Sequence, residues 1–334
     1  TSKVTNMAEM LRGCNSFNQD LGGWDVTGIT SFSSFFNNLA VFNNGDSTGI
    51  NNWRPSSCTT MSSMFEAATG FNQPIGDWDT SSVTNMYGMF YNYLGNMTFD
   101  QDIGNWDTSS VTTMRFMFHG WAGNNSFDNG GSPSISGWDT SNVTNMEKMF
   151  KRCTSFNQPI GYWNTSKVTD MSEMLHGCNS FNQDLGGWDV SGVTNMGSMF
   201  NGCNLFNQGL SNWDVSEVTN MGSMFQYVTN FNNGGSTGIN NWDTSSCTSM
   251  AAMFHSTTFN QPIGNWDTSS VTSIHAMFYN ADAFDQDLSN WTVTAITDAG
   301  NFMASANGLS TTNYDRTLSG WSSQAVQNGV NIHF

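Results

Sequence analysis

Trp78-Asp79-Thr80-Ser81-Ser82-Val83-Thr84-Asn85-Met86-Tyr87-Gly88-Met89-Phe90 decides the fold, because it recurs with small changes about a dozen times along the chain. A polar link follows, then Phe99-Asp100-Gln101-Asp102-Ile103, which elsewhere reads Phe-Asn-Gln-x-Ile-Gly. Tryptophan keeps the register: Trp24, Trp53, Trp78, Trp106, Trp138, Trp163, Trp188, Trp213, Trp242, Trp266, Trp291 and Trp321 share one slot, spaced mostly by 25 residues. Only Trp121 falls outside it. A period of roughly 20–50 residues marks stacked repeats, in which each unit buries its apolar face against its neighbours. The expectation is therefore a single solenoid of about 12 turns over residues 1–334, with 304–334 as a terminal turn.

Each turn carries the same large apolar set, here Trp78, Val83, Met86, Met89, Phe90, Phe99 and Ile103, and this set is the candidate core. The two Met slots hold 19 of the 21 methionines. A thioether ladder raises the question of metal or haem ligation, but adaptable core filling is the plainer reading. The spacing of Val83, Met86, Met89 and Phe90 predicts a short helical or 3-10 segment, with Asp79, Thr80 and Ser81 as its caps. Phe-Asn-Gln-x-Ile reads as an extended edge. Turns stacked about 4.8 Å apart would give a rod on the order of 55–60 Å long.

Composition narrows the function. A net charge of −17 with nine Lys and Arg excludes nucleic-acid binding, which needs a basic track. No stretch is long and apolar enough to insert in a membrane. Little Lys with abundant Asn, Thr and Gly points to secretion. Thr1 falls inside a repeat, so the chain is expected to be a fragment of a longer protein.

The six cysteines occupy repeat slots: Cys14, Cys153, Cys178 and Cys203 in one, Cys58 and Cys247 in another. They read as buried free thiols substituting for small apolar residues. Disulfides remain the alternative for Cys153, Cys178 and Cys203, which fall on successive turns. The aspartate after most of the tryptophans (Asp25, Asp79, Asp107, Asp139, Asp189, Asp214, Asp243, Asp267) reads as a cap; a calcium ladder is the alternative. Arg54, Asn164 and Thr292 interrupt that series, so no cofactor is expected.

Insertions are the strongest departures from the repeat. Phe42 to Ile50, Phe127 to Ile135 and Phe231 to Ile239 span eight residues where Phe181 to Leu185 spans four. The added segments 43–49, 128–134 and 232–238 are candidate interaction loops, expected to bulge from one side; their named residues are Asn43, Asn44, Asp46, Asp128, Asn129, Ser132, Asn232, Asn233 and Ser236. Tolerated bulges with no ligand are the alternative. Further residues enter at 91–98, 119–126 and 304–313. Residues 1–26 recur almost unchanged as 165–190, which suits a modular rod better than a single catalytic centre.

Trp-Asp-[Thr/Val]-Ser-x-Val-Thr-x-Met-x-x-Met-Phe followed by Phe-Asn-Gln-x-[Ile/Leu] resembles the 25/26-residue repeat of bacterial surface proteins and mycoplasma-type lipoproteins, often described as leucine-rich-repeat-like and grouped with the BspA-like surface antigens. The resemblance covers essentially the whole chain. It implies a right-handed solenoid, export to the cell surface, and adhesion or surface coating, with no catalytic residues or cofactors. The segment Asn313 to Phe334 resembles a terminal turn, with Tyr314, Leu318 and Trp321 in the Phe, Leu and Trp slots.

No catalytic constellation emerges. His119, His176 and His255 share a slot on separate turns; His275 and His333 stand alone. Carboxylate pairs on adjacent turns, as in solenoid glycan-cleaving enzymes, are periodic here rather than unique. The chain is expected not to be an enzyme. It is expected outside the cell or on its surface, binding protein, glycan or copies of itself. Two alternatives are an open-ended filament and ice or mineral binding by a threonine column (Thr84, Thr112, Thr144, Thr169, Thr194, Thr219, Thr248, Thr272). Sequons lie at Asn96, Asn124, Asn142, Asn164 and Asn290.

Overall fold

The computed structural model describes residues 3–121, 125–327 and 329–332. The Asn124 sequon and His333 lie outside them. The chain divides into two compact units, Thr1–Val168 with Gly177–Phe181, and Thr169–His176 with Asn182–Phe334. Both are built from stacked turns of the repeat.

Backbone accounting explains the stack. In the turn at 61–68, the N–H groups of Met61, Ser63, Phe65 and Ala67 donate to the carbonyls of Asn85, Tyr87, Met89 and Tyr91 in the next turn, at 2.8–3.0 Å. The intervening N–H groups of Met64, Glu66 and Ala68 close back on Met61, Ser63 and Phe65. The carbonyls of Thr60, Ser62, Met64 and Glu66 accept from the turn before. Buried backbone groups must find partners, and this alternation satisfies those of a repeat that is neither helix nor sheet.

That corrects the expected helix across the two methionines. The segment is a run of tight turns, each closed by a bond such as Met89 N–H to the Met86 carbonyl, with positive φ at the residue before the second Met. Twenty-two described non-glycine residues have positive φ, among them Ser63, Ala67 and Ala252. Each such residue costs about 1–2 kcal/mol, offset by the bonds between turns. A three-residue spacing suits a turn as well as a helix, since both ends of a turn face the same side.

The extended segments also fall short of strands. Among the described residues, pairing between turns consists of isolated parallel bridges, most of them in the slot after the threonine (Thr60 to Asn85, Asn85 to Thr113; in the second unit Asn195 to Asn220). The described helices lie elsewhere: six short 3-10 segments in the inserted loops, and α1, Thr311–Trp321. In place of a terminal repeat turn, α1 lies over the end of its unit. Ser310 caps it by accepting from Asn313 N–H. Thr317 and Trp321, four residues apart, face inward and are buried, while Tyr314 and Leu318 are more than a third exposed. The Phe and Leu slots are therefore not filled by those two. Trp321 does keep its slot, its indole N–H donating to the Leu288 carbonyl at 2.9 Å.

The core of each unit is a set of parallel files. In the first, Phe42, Phe71, Phe99, Phe127, Phe156 and Phe181 stack at 5.8–6.3 Å with nearly parallel planes. Phe36, Phe65, Phe90, Phe118 and Phe150 stack beside them at 5.1–5.6 Å. The second unit repeats the arrangement with Phe206, Phe231, Phe259 and Phe284 at 5.9–6.4 Å. Stacked aromatic pairs add about 0.5–1.5 kcal/mol beyond burial. The Met slots after the first turn are completely buried, as core filler should be.

Candidate functional site in the inserted loops

Each inserted loop folds into two short 3-10 segments: Asn44–Asp46 and Thr48–Asn52, Asn129–Gly131 and Pro133–Gly137, Asn233–Gly235 and Thr237–Asn241. The loops are seated on the preceding turn rather than hanging free. Asn44, Asn129 and Asn233, each followed by glycine, are completely buried. Their side-chain oxygens accept the backbone N–H of Leu21, Ile103 and Leu210 at 2.8–2.9 Å. Their amide nitrogens donate to the carbonyls of Ser47, Ser132 and Ser236 at 2.7–2.8 Å. Each is a plug that satisfies the turn below and closes its own loop.

Gly104 shows how tightly a loop sits: a Cβ there would stand 1.9 Å from the Ser134 hydroxyl oxygen and 2.7 Å from its carbonyl carbon. That hydroxyl donates to Asp102 at 2.6 Å. Burial pushes the Asp102 carboxyl up, but Ser134, Gly104 N–H, Ser132 and Asn129 outweigh it and hold it below the usual range. Asp20 is likewise lowered by Gly22 N–H and then by Ser47.

The other named loop residues divide by exposure. Asn43, Asp128 and Asn232 are half-buried members of a polar file. In the first unit the side-chain oxygens of Asn18, Asn43, Asn72, Asp100 and Asp128 each accept the N–H of the equivalent residue one turn on, at 2.7–3.0 Å. Asn182, Asn207, Asn232, Asn260 and Asp285 do the same in the second unit. Ser132 is half-buried, and Asp46 and Ser236 are exposed beside the glycine tips. The sequence reading missed both the file and the plugs. The signal was present: Asn-Gly follows the first inserted residue in all three loops, at 44–45, 129–130 and 233–234.

The remaining candidate columns are also engaged in structure. In the first unit Thr30, Thr59, Thr84, Thr112 and Thr144 are exposed, yet each hydroxyl donates to the carbonyl of the threonine before it at 2.9–3.2 Å. Thr194, Thr219, Thr248, Thr272 and Thr297 repeat this in the second. The aspartates after tryptophan cap a turn rather than a helix: Asp79 and Asp189 accept from the hydroxyl and N–H of Ser81 and Ser191. Asn164 does the same for Ser166 without a charge. The serine hydroxyl first, then its N–H, lowers the carboxyls of Asp139, Asp189 and Asp243. Among the described residues no group of three or more His, Cys, Asp or Glu is placed to hold a metal ion.

The cysteines are free thiols, all buried except Cys14. Cys153 and Cys178 donate to the carbonyls of Phe118 and Phe150, one turn back, at 3.3 and 3.1 Å. Burial pushes the Cys153 thiol far up, and Cys58 and Cys247 to about 11. Among curated proteins none matches the chain. The sequence profile of the family described as "Mycoplasma protein of unknown function, DUF285" matches four overlapping segments, residues 1–48, 42–130, 122–237 and 235–321, and the chain belongs to that family.

Proposed function

We propose that this chain is a non-catalytic module of an extracellular, cell-surface protein of the BspA-like type. It is a right-handed, leucine-rich-repeat-like solenoid that presents a long surface for binding protein or glycan. One observation carries the reading: the recurring polar side chains bond from turn to turn, as the threonine, asparagine and indole files do. Such side chains hold a frame together and leave little for chemistry on a substrate. Recognition then falls to departures from the repeat, among them the exposed loop residues Asp46, Thr48, Ser236 and Thr237.

Labelling of intact cells that express the full-length protein, with an antibody or a membrane-impermeant reagent, tests the location. The expected result is labelling without lysis; labelling only after lysis overturns the surface reading. Deleting whole loops would also remove the buried asparagines, so Thr48→Lys with Thr237→Lys is the cleaner probe of loop binding. Unchanged adhesion of that double variant to a matrix the parent binds would take the loops out of the proposal.

A further inference from the structure

The chain has nine basic residues, eight of them in the first unit; the second has Arg316 alone against thirteen acidic residues. Four of the eight, Arg115, Lys148, Lys151 and Arg152, gather on two adjacent turns of the first unit. These turns are joined by Phe116 N–H to the Glu147 carbonyl and Gly120 N–H to the Lys151 carbonyl. The turn before them supplies Tyr87, next to Gly88, whose N–H donates to the Arg115 carbonyl.

The cations are interleaved with aromatic rings. The Arg115 guanidinium lies 4.6 Å from the Phe116 ring centre and 5.8 Å from that of Tyr87. Lys148 stands 5.0 Å from Phe116, and Lys151 5.8 Å from Trp121. Trp121 is 59% exposed and Tyr87 36%. Two bonds hold Trp121 in place: its N–H donates to the Asn92 carbonyl, and its own carbonyl accepts from Arg152, both at 2.8 Å. Glu147 pairs with Arg115 and Lys148, and the four cations of the cluster are nearly half of the nine on a chain of net charge −17.

The fold does not ask for these side chains. The Arg115 slot holds Ser62, Gly197, Gly222 and Ala251 in other turns, and the Phe116 slot holds Ser63, Gly88, Ser198 and Ala252. Trp121 stands outside the tryptophan file altogether. A gathering of cationic side chains raises the local concentration of a counter-charged partner. Exposed flat rings add a surface for a rigid, amphipathic one.

We propose that this face binds an acidic polysaccharide, whose sugar rings lie on Trp121 and Tyr87 while carboxylate or sulfate substituents meet Arg115, Lys151 and Arg152. A nucleic acid would need a longer basic track to neutralise successive phosphates. An acidic peptide would use the cations and leave the ring faces idle. The proposal goes beyond the surface reading, since it names a ligand class and a site apart from the loops.

Titration of the full chain with dextran sulfate, uncharged dextran and poly-glutamate at low salt tests it. Dextran sulfate is expected to bind and dextran not. Lys151→Gln with Arg152→Gln should weaken binding at least tenfold, and Trp121→Ala several-fold with an unchanged salt dependence. Lys3→Gln with Arg12→Gln, an equal charge change elsewhere in the unit, should alter it less than twofold. Three results overturn the proposal: no binding of dextran sulfate, equal loss in the Lys3 and Arg12 control, or poly-glutamate bound as tightly and lost with the same substitutions. None of them bears on cell-surface labelling, so the two readings fail separately.

Discussion

Asn233 offers a direct measure of how firmly an inserted loop is tied down. It is completely buried, accepts the Leu210 N–H at 2.8 Å, and donates to the Ser236 carbonyl at 2.7 Å and the Ser211 hydroxyl at 3.1 Å. Asn233→Ala leaves the buried Leu210 N–H without an acceptor, which costs about 1–3 kcal/mol, and opens a small void worth about 1 kcal/mol more. The Ser236 end is exposed, so water replaces that bond at little cost. The sum is about 2–4 kcal/mol of local stability, or about thirty-fold to several-hundred-fold faster exchange at the Leu210 amide. Native-state hydrogen exchange is the suitable assay, because stacked repeats open locally as well as globally. Thr237→Ala, on the exposed side of the same loop, should stay within about 0.5 kcal/mol of the parent. Asn233→Asp adds a sign. Its carboxylate would be buried against a carbonyl, so its folded-state pKa rises above the unfolded value of about 3.9. Relative to the parent, that variant should be least destabilised below about pH 4 and lose further stability as pH climbs through the raised value. A Leu210 amide as protected in Asn233→Ala as in the parent would refute the account of the plug.

Gly320→Ala tests close approach against helix propensity. Within a helix this change ordinarily stabilises by about 1 kcal/mol, but a Cβ at Gly320 would meet the Ser289 carbonyl oxygen at 2.2 Å. A loss of about 1–3 kcal/mol is expected, read as a lower melting temperature; a gain would refute the packing of α1. A thiol reagent at neutral pH should modify Cys14 alone in the folded chain and all six thiols in denaturant, since the other five are buried. Fast reaction of a second thiol would contradict their burial. Acid should weaken the fold. The carboxyls of Asp25, Asp139, Asp189 and Asp243 are lowered in the folded state, so their stabilisation is present above the unfolded value of about 3.9 and lost as pH falls through the lowered ones. Asp189→Asn should be slightly less stable than the parent at pH 7 and lose less stability in acid; equal acid sensitivity would dismiss the Ser191 bond as its source.

The repeat, its register and its core were legible because large side chains recur at fixed spacing: Phe71, Phe90 and Trp78 each stack on the equivalent residue one turn away. The local backbone was not. Met86 and Met89 are three apart, a spacing shared by helix and tight turn, and only the positive φ at Gly88 separates the two. Asn44, Asn129 and Asn233 looked like loop surface because polarity alone does not show that a side chain points inward to meet an orphaned N–H. Of the cluster around Arg115 and Phe116, only Trp121 stood out from the pattern. Tyr87, Lys148, Lys151 and Arg152 join the cluster from the turns on either side, and nothing in the linear order brings those residues to Arg115 and Trp121.

Asn164 does for Ser166 what Asp189 does for Ser191, with one charge fewer. The same turn forms with an ionised acceptor at Asp189, an uncharged one at Asn164, and Arg54 in the equivalent slot. The acidity of this molecule is therefore a coating that substitution can thicken or thin without disturbing the stack beneath. Mutual repulsion between neighbouring copies, and attraction to cationic surroundings, become adjustable properties of a fixed skeleton.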